Sequence, residues 1–147
     1  MSLAALMGGQ AFPGALPHLA HAVGHALGTA YHLPHGLACT VALPAILDFI
    51  QPVAPEPLRR IAAALNVTPP NPPVDGGEVR GGEVSAAERI AVLYQRIGLP
   101  RLAQALGVGS ADLPHLVDLT LQETDMLSRA PLKPSREEWI GIFERSL

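Results

Sequence analysis

Five of the six histidines lie in one short segment, and their spacing is the first feature that could do chemistry; they are His18, His21, His25, His32 and His35. His21 and His25 are four residues apart, which puts both imidazoles on one face of a helix, one turn apart. Neutral imidazole is a common ligand for zinc, iron, nickel and copper. Spacing alone therefore favours a chelate of His21 and His25, as in zinc sites built from histidines at this interval.

A turn before His35 leaves a second arrangement open. Pro34-His35-Gly36 predicts a turn into a following helix, with His35 near its N-terminus. A hairpin of the two helices could bring His35 back beside His21, and Gly28 would leave room there for another helix or a flat ligand. Three histidines in one apolar segment are costly to bury without a shared purpose. The segment therefore predicts a metal-binding or catalytic site.

The remaining histidines carry a weaker signal. His18 and His32, taken singly, are each interpreted as a hydrogen-bonded core residue, because that is the usual state of a buried histidine. His115 follows Pro114 on an otherwise amphipathic helix, so we predict a solvated surface residue at that position.

The histidine segment resembles the signature of the iron-containing (group III) alcohol dehydrogenases. That family carries His-x3-His-x-x-Gly and then Pro-His-Gly, followed by an apolar helix that contains Leu-Pro. The matching residues here are His21-Ala-Val-Gly-His25-Ala-Leu-Gly28, Tyr31-His-Leu-Pro-His35-Gly36 and Leu43-Pro44, with Ala11-Phe12 nine residues before the first of these histidines. The resemblance runs from Ala4 to Leu147, and the histidine motif is its specific part.

This resemblance implies an all-α, metal-binding C-terminal domain of the iron-containing alcohol dehydrogenase or dehydroquinate synthase-like fold. By the family's pattern, His21 and His35 ligate a divalent metal, Fe²⁺ or Zn²⁺, which replaces the chelate that spacing favours. His25 then lies beside the nicotinamide of NAD or NADP and transfers a proton, and Phe12 lines the substrate pocket. The implied activity is the interconversion of an alcohol and an aldehyde or ketone.

The same resemblance implies partners outside this sequence. An N-terminal nucleotide-binding domain and two further ligands, an aspartate and a histidine spaced by three residues, are expected upstream, and neither Asp48 nor His18 matches those ligands. The chain is thus expected to be a fragment that is inactive alone and binds metal weakly. Its expected partners are the missing domain and a small alcohol or aldehyde substrate, and a second copy of the chain is a further candidate.

Several residues depart from the family's pattern and leave the substrate class open. Cys39 stands where asparagine is usual, Ala45 where histidine is frequent and Ile50 where asparagine is frequent. Ala130-Pro131-Leu132 replaces the common Asn-Pro-Arg. Maleylacetate reductases share much of the pattern and are the alternative within the superfamily, in which dehydroquinate synthase and glycerol-1-phosphate dehydrogenase are more distant relatives. The rival hypothesis from another class is a non-catalytic helical module that binds metal or a partner.

Helix signals recur along the chain, whereas strand signals are nearly absent. Ser85-Ala-Ala-Glu88 and Ser135-Arg-Glu-Glu138 have the form of capping boxes, and Gly98 is placed to end the first of these two helices. Pro55-Glu56-Pro57 suits a helix N-terminus, and Ser110 can cap a further helix. We therefore predict an all-α fold of about six to eight helices.

Length, charge and composition limit the other classes of function. The 147 residues suffice for one domain, 1–147, with a flexible Pro/Gly-rich loop at 69–84. A net charge of −3 with scattered basic residues argues against nucleic-acid binding. The apolar run 36–50 is shorter than the roughly 20 residues that span a bilayer, so we predict a buried helix and no membrane association. The single cysteine excludes an intrachain disulfide and suits the cytoplasm.

Overall fold

The computed structural model describes residues 2–65, 84–100 and 107–147. Within these ranges it contains helices and turns without a β-strand, so the predicted all-α fold is confirmed. The helices are α1 (Ser2–Ala15), α2 (Leu19–Tyr31), α3 (His35–Thr40), α4 (Leu43–Ile50), α5 (Pro55–Leu65), α6 (Ala86–Ile97), α7 (Leu113–Gln122), α8 (Thr124–Ser128) and α9 (Arg136–Ser146). Nine helices in the described part exceed the predicted number because α3 and α8 are too short to show periodicity. Except for Val84, the loop predicted at 69–84 lies outside the described residues.

Helices α2 and α3 form the hairpin that carries the histidines. After α2, His32 adopts a left-handed backbone conformation (φ 53°), and its N–H donates to the Gly28 carbonyl 3.1 Å away. Pro34, whose ring holds φ near the helical value, directly precedes α3. The two helices approach so closely that a Cβ on Gly24 would lie 2.5 Å from Cys39 Sγ and 3.3 Å from Cys39 Cα. A side chain at position 24 would therefore have to displace the Cys39 thiol.

Helix α2 is the centre of the hydrophobic core. Its apolar face carries Leu19, Val23 and Leu27, which have no exposed surface. Helix α7 packs against α2, and α9 packs against both α7 and α4. The largest buried side chains that α7 and α9 contribute are Leu113, Leu116, Val117, Trp139, Ile142 and Phe143. Because burial of each large apolar side chain contributes roughly 1.5–3 kcal/mol, this packing fixes the helix that bears His21 and His25.

The apolar run 36–50 forms two helices instead of the single buried helix that we predicted. Helix α3 ends at Thr40, a turn follows at Val41 and Ala42, and Pro44 lies in the first turn of α4. Proline has no backbone N–H to donate to a preceding turn, so it starts a helix but does not continue one. None of the described helices is both long enough and apolar enough to cross a membrane.

Both predicted capping boxes are present. The Glu88 amide donates to Ser85 Oγ (3.1 Å) and the Ser85 amide donates to Glu88 Oε2 (2.7 Å). Ser135 and Glu138 repeat this arrangement at 3.2 and 2.7 Å. Gly98 follows α6 in the left-handed conformation (φ 70°), as predicted for a helix end. These local signals therefore place α6 and α9 correctly along the chain.

Ser110 does not cap α7, and that prediction was wrong. Ser110 begins a 3₁₀ turn (Ser110–Asp112), and α7 starts only after Asp112. The Asp112 carboxylate accepts a hydrogen bond from the Gly109 N–H (2.8 Å), so it stabilises the turn and not the helix. Because of this turn, α7 begins at Leu113 and not directly after Ser110.

Helix α1 exposes its apolar side chains. Residues 2–14 are all exposed, and they include Leu3, Leu6, Met7 and Phe12. A helix whose apolar residues face solvent gains little stability from packing. Helix α1 therefore presents an apolar surface that none of the described elements covers.

Candidate metal centre

His21 on α2 and His35 at the first position of α3 turn their rings toward the same space. The ring centroids lie 5.2 Å apart, with an interplanar angle of 63°. His21 is half-buried, whereas His35 is exposed. The sequence left two arrangements open, and the hairpin is the one that brings these two residues together.

Cys39 lies beside the two histidines as a third donor. Its Sγ is 3.6 Å from Nε2 and 3.9 Å from Nδ1 of His35, one helical turn earlier on α3. One donor atom from each of His21, His35 and Cys39 can be chosen so that all three lie within 4.8 Å of one another. In the sequence, Cys39 stands out as a departure from a family pattern, and its i, i+4 spacing from His35 is a further signal that marks it as a candidate donor.

His25 contacts a different partner. Its Nδ1 lies 3.2 Å from Oε2 of Glu123, which sits between α7 and α8. Its ring centroid is 5.8 Å from that of His35. His25 is not a member of the group of three donors found among the described residues. Sequence reasoning missed Glu123 because no local pattern connects it with His25.

An open depression lies next to this group of side chains. The described residues that line it are Gly24, His25, Gly28, Thr29, Leu33, His35 and Glu123. Two of these are glycines of α2, so the backbone itself forms part of the wall. The depression combines a basic ring nitrogen, a carboxylate and bare backbone, which suits a flat polar ligand.

Phe12 reaches the same region from α1. Its ring centroid lies 5.7 Å from that of His21, and the Phe12 side chain is exposed. It stands on the His21 side of the centre and not among the residues that line the depression. The aromatic ring therefore gives the centre an apolar neighbour on that side.

Burial and neighbouring histidines favour the neutral form of His21. Burial lowers the pKa of His21, and the nearby His35, His25 and His18 lower it further by charge repulsion. The neutral imidazole is the form that binds metal. Burial also raises the pKa of the Cys39 thiol, so a cation that binds there must displace the thiol proton.

The three other histidines lie outside the donor group. His32 is exposed, so its interpretation as a core residue was wrong. His18 is half-buried and burial lowers its pKa, yet its Nδ1 has no hydrogen-bond partner among the described residues, contrary to the predicted core hydrogen bond. His115 is exposed on α7, as predicted.

The donor set fits a divalent transition metal. Two imidazoles and a thiol are the ligand types that zinc and iron accept, and their donor atoms gather on a side that opens to solvent. Open positions are what a catalytic metal needs for its substrate. The arrangement can therefore hold a cation and expose it to a small molecule.

Comparison with known proteins gives a consistent result. The model of the Fe-containing alcohol dehydrogenase family, C-terminal, matches residues 1–147. The chain is 32% identical over 146 residues to 1,3-propanediol dehydrogenase of Citrobacter freundii, covering 99% of this chain and 36% of that protein. It is 28% identical over 123 residues to lactaldehyde reductase of Escherichia coli K12, covering 84% of this chain and 31% of that protein. The chain thus spans about a third of the length of these relatives.

Solved structures show the same similarity. The fold matches the alcohol dehydrogenase from Oenococcus oeni with a TM-score of 0.69 at 27% identity, covering 95% of this chain and 35% of that chain. It matches maleylacetate reductase from Agrobacterium tumefaciens with a TM-score of 0.64 at 27% identity, covering 87% of this chain and 31% of that chain. The described helices therefore correspond to a helical portion of larger enzymes.

Proposed function

The chain belongs to the Fe-containing alcohol dehydrogenase family, as its C-terminal domain, and from that membership we propose that it is the metal-binding domain of an NAD(P)-dependent oxidoreductase that interconverts an alcohol and an aldehyde or ketone. The observation that carries the proposal is the convergence of the His21 and His35 rings, 5.2 Å apart, on one open space. The resemblance of the histidine segment to the family's motif, which implies that both residues are ligands, supports the proposal.

His21 and His35 are the proposed protein ligands of a divalent ion, Fe²⁺ or Zn²⁺. Such an ion supplies Lewis acidity, which lowers the pKa of an alcohol oxygen that binds to it. The lowered pKa of His21 supports this role because burial favours the neutral imidazole, the form that ligates a metal. Phe12, which lies beside His21, is the proposed apolar wall of the substrate pocket.

His25 is the proposed proton relay. The Glu123 carboxylate lies 3.2 Å from Nδ1 and can accept its N–H, which leaves Nε2 as the basic nitrogen. His25 also lines the open depression, which is the proposed place for a nicotinamide ring against the glycines of α2. A general base at this position takes up the proton that an alcohol releases on oxidation.

Metal analysis of purified variants tests the ligand assignment. In the presence of excess Zn²⁺, the full 147-residue chain is expected to bind zinc weakly, whereas His21→Ala and His35→Ala are expected to retain none. His115→Ala removes an exposed histidine outside the donor group and is the matched control. Equal zinc retention by all four proteins would contradict the proposed site.

The 147-residue chain alone is expected to show no dehydrogenase turnover. A nicotinamide dinucleotide site of the common type is built on parallel strands, and the described residues contain none. The measurement is NAD⁺ and NADP⁺ reduction with short-chain alcohols and added Fe²⁺ or Zn²⁺, with the Citrobacter 1,3-propanediol dehydrogenase as the positive control. Sustained cofactor reduction by the purified chain would contradict the proposal that a further domain supplies the cofactor site.

Maleylacetate reduction is a second candidate activity. The structural match to the Agrobacterium maleylacetate reductase favours it, with a TM-score of 0.64 over 87% of this chain. Assay of the whole enzyme that contains this domain distinguishes the two, because only the alternative predicts NADH oxidation driven by maleylacetate without alcohol turnover.

A further inference from the structure

We propose that Cys39 is a third protein ligand of the divalent ion, so that this chain offers a His₂Cys donor set that favours Zn²⁺ over Fe²⁺. The inference rests on the proposed metal site at His21 and His35 and adds the residue that sets its metal preference. It follows from the position of the thiol, since donor atoms of all three residues lie within 4.8 Å of one another.

The distance between Cys39 and His35 matches that of two ligands in a zinc site. Zn–S bonds of about 2.3 Å and Zn–N bonds of about 2.0–2.1 Å at tetrahedral angles place sulfur and nitrogen ligands about 3.5 Å apart. Cys39 Sγ lies 3.6 Å from His35 Nε2. The longer separations within the group close by rotation of side chains, for which the exposed His35 has freedom.

The backbone of α3 positions the Cys39 thiol beside the histidines before a metal binds. His35 and Cys39 are four residues apart on α3, so one helix face presents both donors. Gly24 of α2 leaves the space that the thiol occupies, because a Cβ there would lie 2.5 Å from Sγ. Gly24 is also three residues after His21, so the contact brings Cys39 against the part of α2 that bears the other ligand.

Thiolate ligation changes which metal is preferred. On binding, the Cys39 S–H bond breaks, a sulfur–metal bond forms, and the proton passes to solvent. Thiolate is a soft ligand typical of zinc sites, whereas carboxylate and water suit harder ions.

Cobalt titration of the reduced full chain tests the proposal, because Co²⁺ replaces Zn²⁺ and a thiolate ligand adds a sulfur-to-cobalt charge-transfer band in the near ultraviolet. We expect this band in the wild type and in the His115→Ala control, and its loss in Cys39→Ser and Cys39→Asn. Zn²⁺ affinity of the two cysteine variants is expected to fall at least as much as on loss of an outer-shell partner, about 10–100-fold. The ratio of Zn²⁺ to Fe²⁺ affinity should fall with it.

Gly24→Ala provides a second test that removes no donor. The new methyl group displaces the Cys39 thiol, so we expect a weaker charge-transfer band, and circular dichroism verifies that each variant remains helical. A band-free cobalt spectrum in the wild type, or unchanged Zn²⁺ affinity in folded Cys39→Ser, overturns the role of Cys39. In that case loss of metal from His21→Ala still supports the two-histidine site. A wild-type chain that binds no metal overturns both proposals.

Discussion

At the scale of single residues, one carboxylate distinguishes two histidines that the sequence presents as equivalents. His21 and His25 lie one turn apart on α2, yet His21 faces His35 while His25 contacts Glu123. A histidine whose Nδ1 is held by a carboxylate keeps a defined tautomer and ring orientation. The helical interval therefore predicts which side chains share a face but not which role each one takes.

Substitution of Glu123 by glutamine tests this division of roles. We expect Glu123→Gln to lower the fraction of His25 with its proton on Nδ1, since the charged acceptor is gone. Zn²⁺ affinity should stay unchanged because Glu123 contacts His25, which lies outside the donor group. Long-range ¹H–¹⁵N correlation spectra of the full chain report the tautomer, and His25→Ala assigns the signal. Glu144→Gln, an exposed site on α9, is the control. An unchanged His25 tautomer would show that Glu123 does not orient the ring.

At the scale of elements, caps and buried stripes determine where the helices begin and how firmly they pack. The capping box at Ser135 starts α9, whose Trp139, Ile142 and Phe143 are completely buried. Helix α9 packs on α7 and α4. Because α7 packs on α2, α9 indirectly supports the helix that bears His21. A local hydrogen bond at a helix start thus contributes to the placement of a distant site.

Removal of this cap is expected to destabilise the chain measurably. Ser135→Ala deletes the acceptor of the Glu138 amide, which should cost about 0.5–2 kcal/mol of unfolding free energy. Ser110→Ala is the matched control, because Ser110 caps no helix and exposed serines change stability by less than about 0.5 kcal/mol. Urea denaturation followed by circular dichroism measures both. Equal losses in the two variants would argue against the cap.

Tyr94, on α6, makes the stability of the fold depend on pH in the alkaline range. It lines a depression with Val41, Pro44 and Ala45, and burial raises its pKa from 10.0 to about 12. The fold favours the neutral phenol, so this contribution to stability is complete below about pH 10 and is lost as the pH rises toward 12.

We therefore expect wild type to lose stability relative to Tyr94→Phe between about pH 8 and about pH 11. The loss should be on the order of 1 kcal/mol, after allowance for the solvent that reaches this half-buried ring. Denaturation at both pH values measures the difference. Phenolate absorbance adds an independent check, because only Tyr31 titrates in the variant. A measured pKa of about 10 for Tyr94 would contradict the burial of this α6 side chain against α4.

At the scale of the whole molecule, α1 is the element without support. All its side chains from residues 2–14 are exposed, with Leu3 at 69% and Met7 at 60%. A single helix of this length is marginal in water when no apolar face is buried. The chain also spans about a third of its relatives' length.

Hydrogen exchange of the 147-residue chain measures the local stability of α1 directly. Amides of α1 are expected to exchange faster than those of α2 and α9 by at least about tenfold, because α1 opens without exposing a core. Dilution is the control, since association through the exposed leucines would slow exchange only at high concentration. Amides of α1 protected as strongly as those of α9 at all concentrations would contradict the picture of an unsupported helix.

The sequence by itself determined what depends on neighbouring residues. Capping boxes, Gly98 and the prolines act within one or two helical turns, so the helices at Ser85 and Ser135 begin where the pattern indicates. The turn at Pro34 likewise predicted the hairpin. Family resemblance added the choice of His21 and His35 over His25, which periodicity could not make.

Only the tertiary structure decided which distant groups meet. Cys39 approaches His21 because Gly24 lets α3 close on α2, and Glu123 reaches His25 because α7 packs along the same helix. His32 is exposed because the turn after α2 directs it outward, although a lone histidine in an apolar segment was interpreted as a core residue. Such contacts depend on the total free energy of packing several helices together, which cannot be read from any single segment of the sequence.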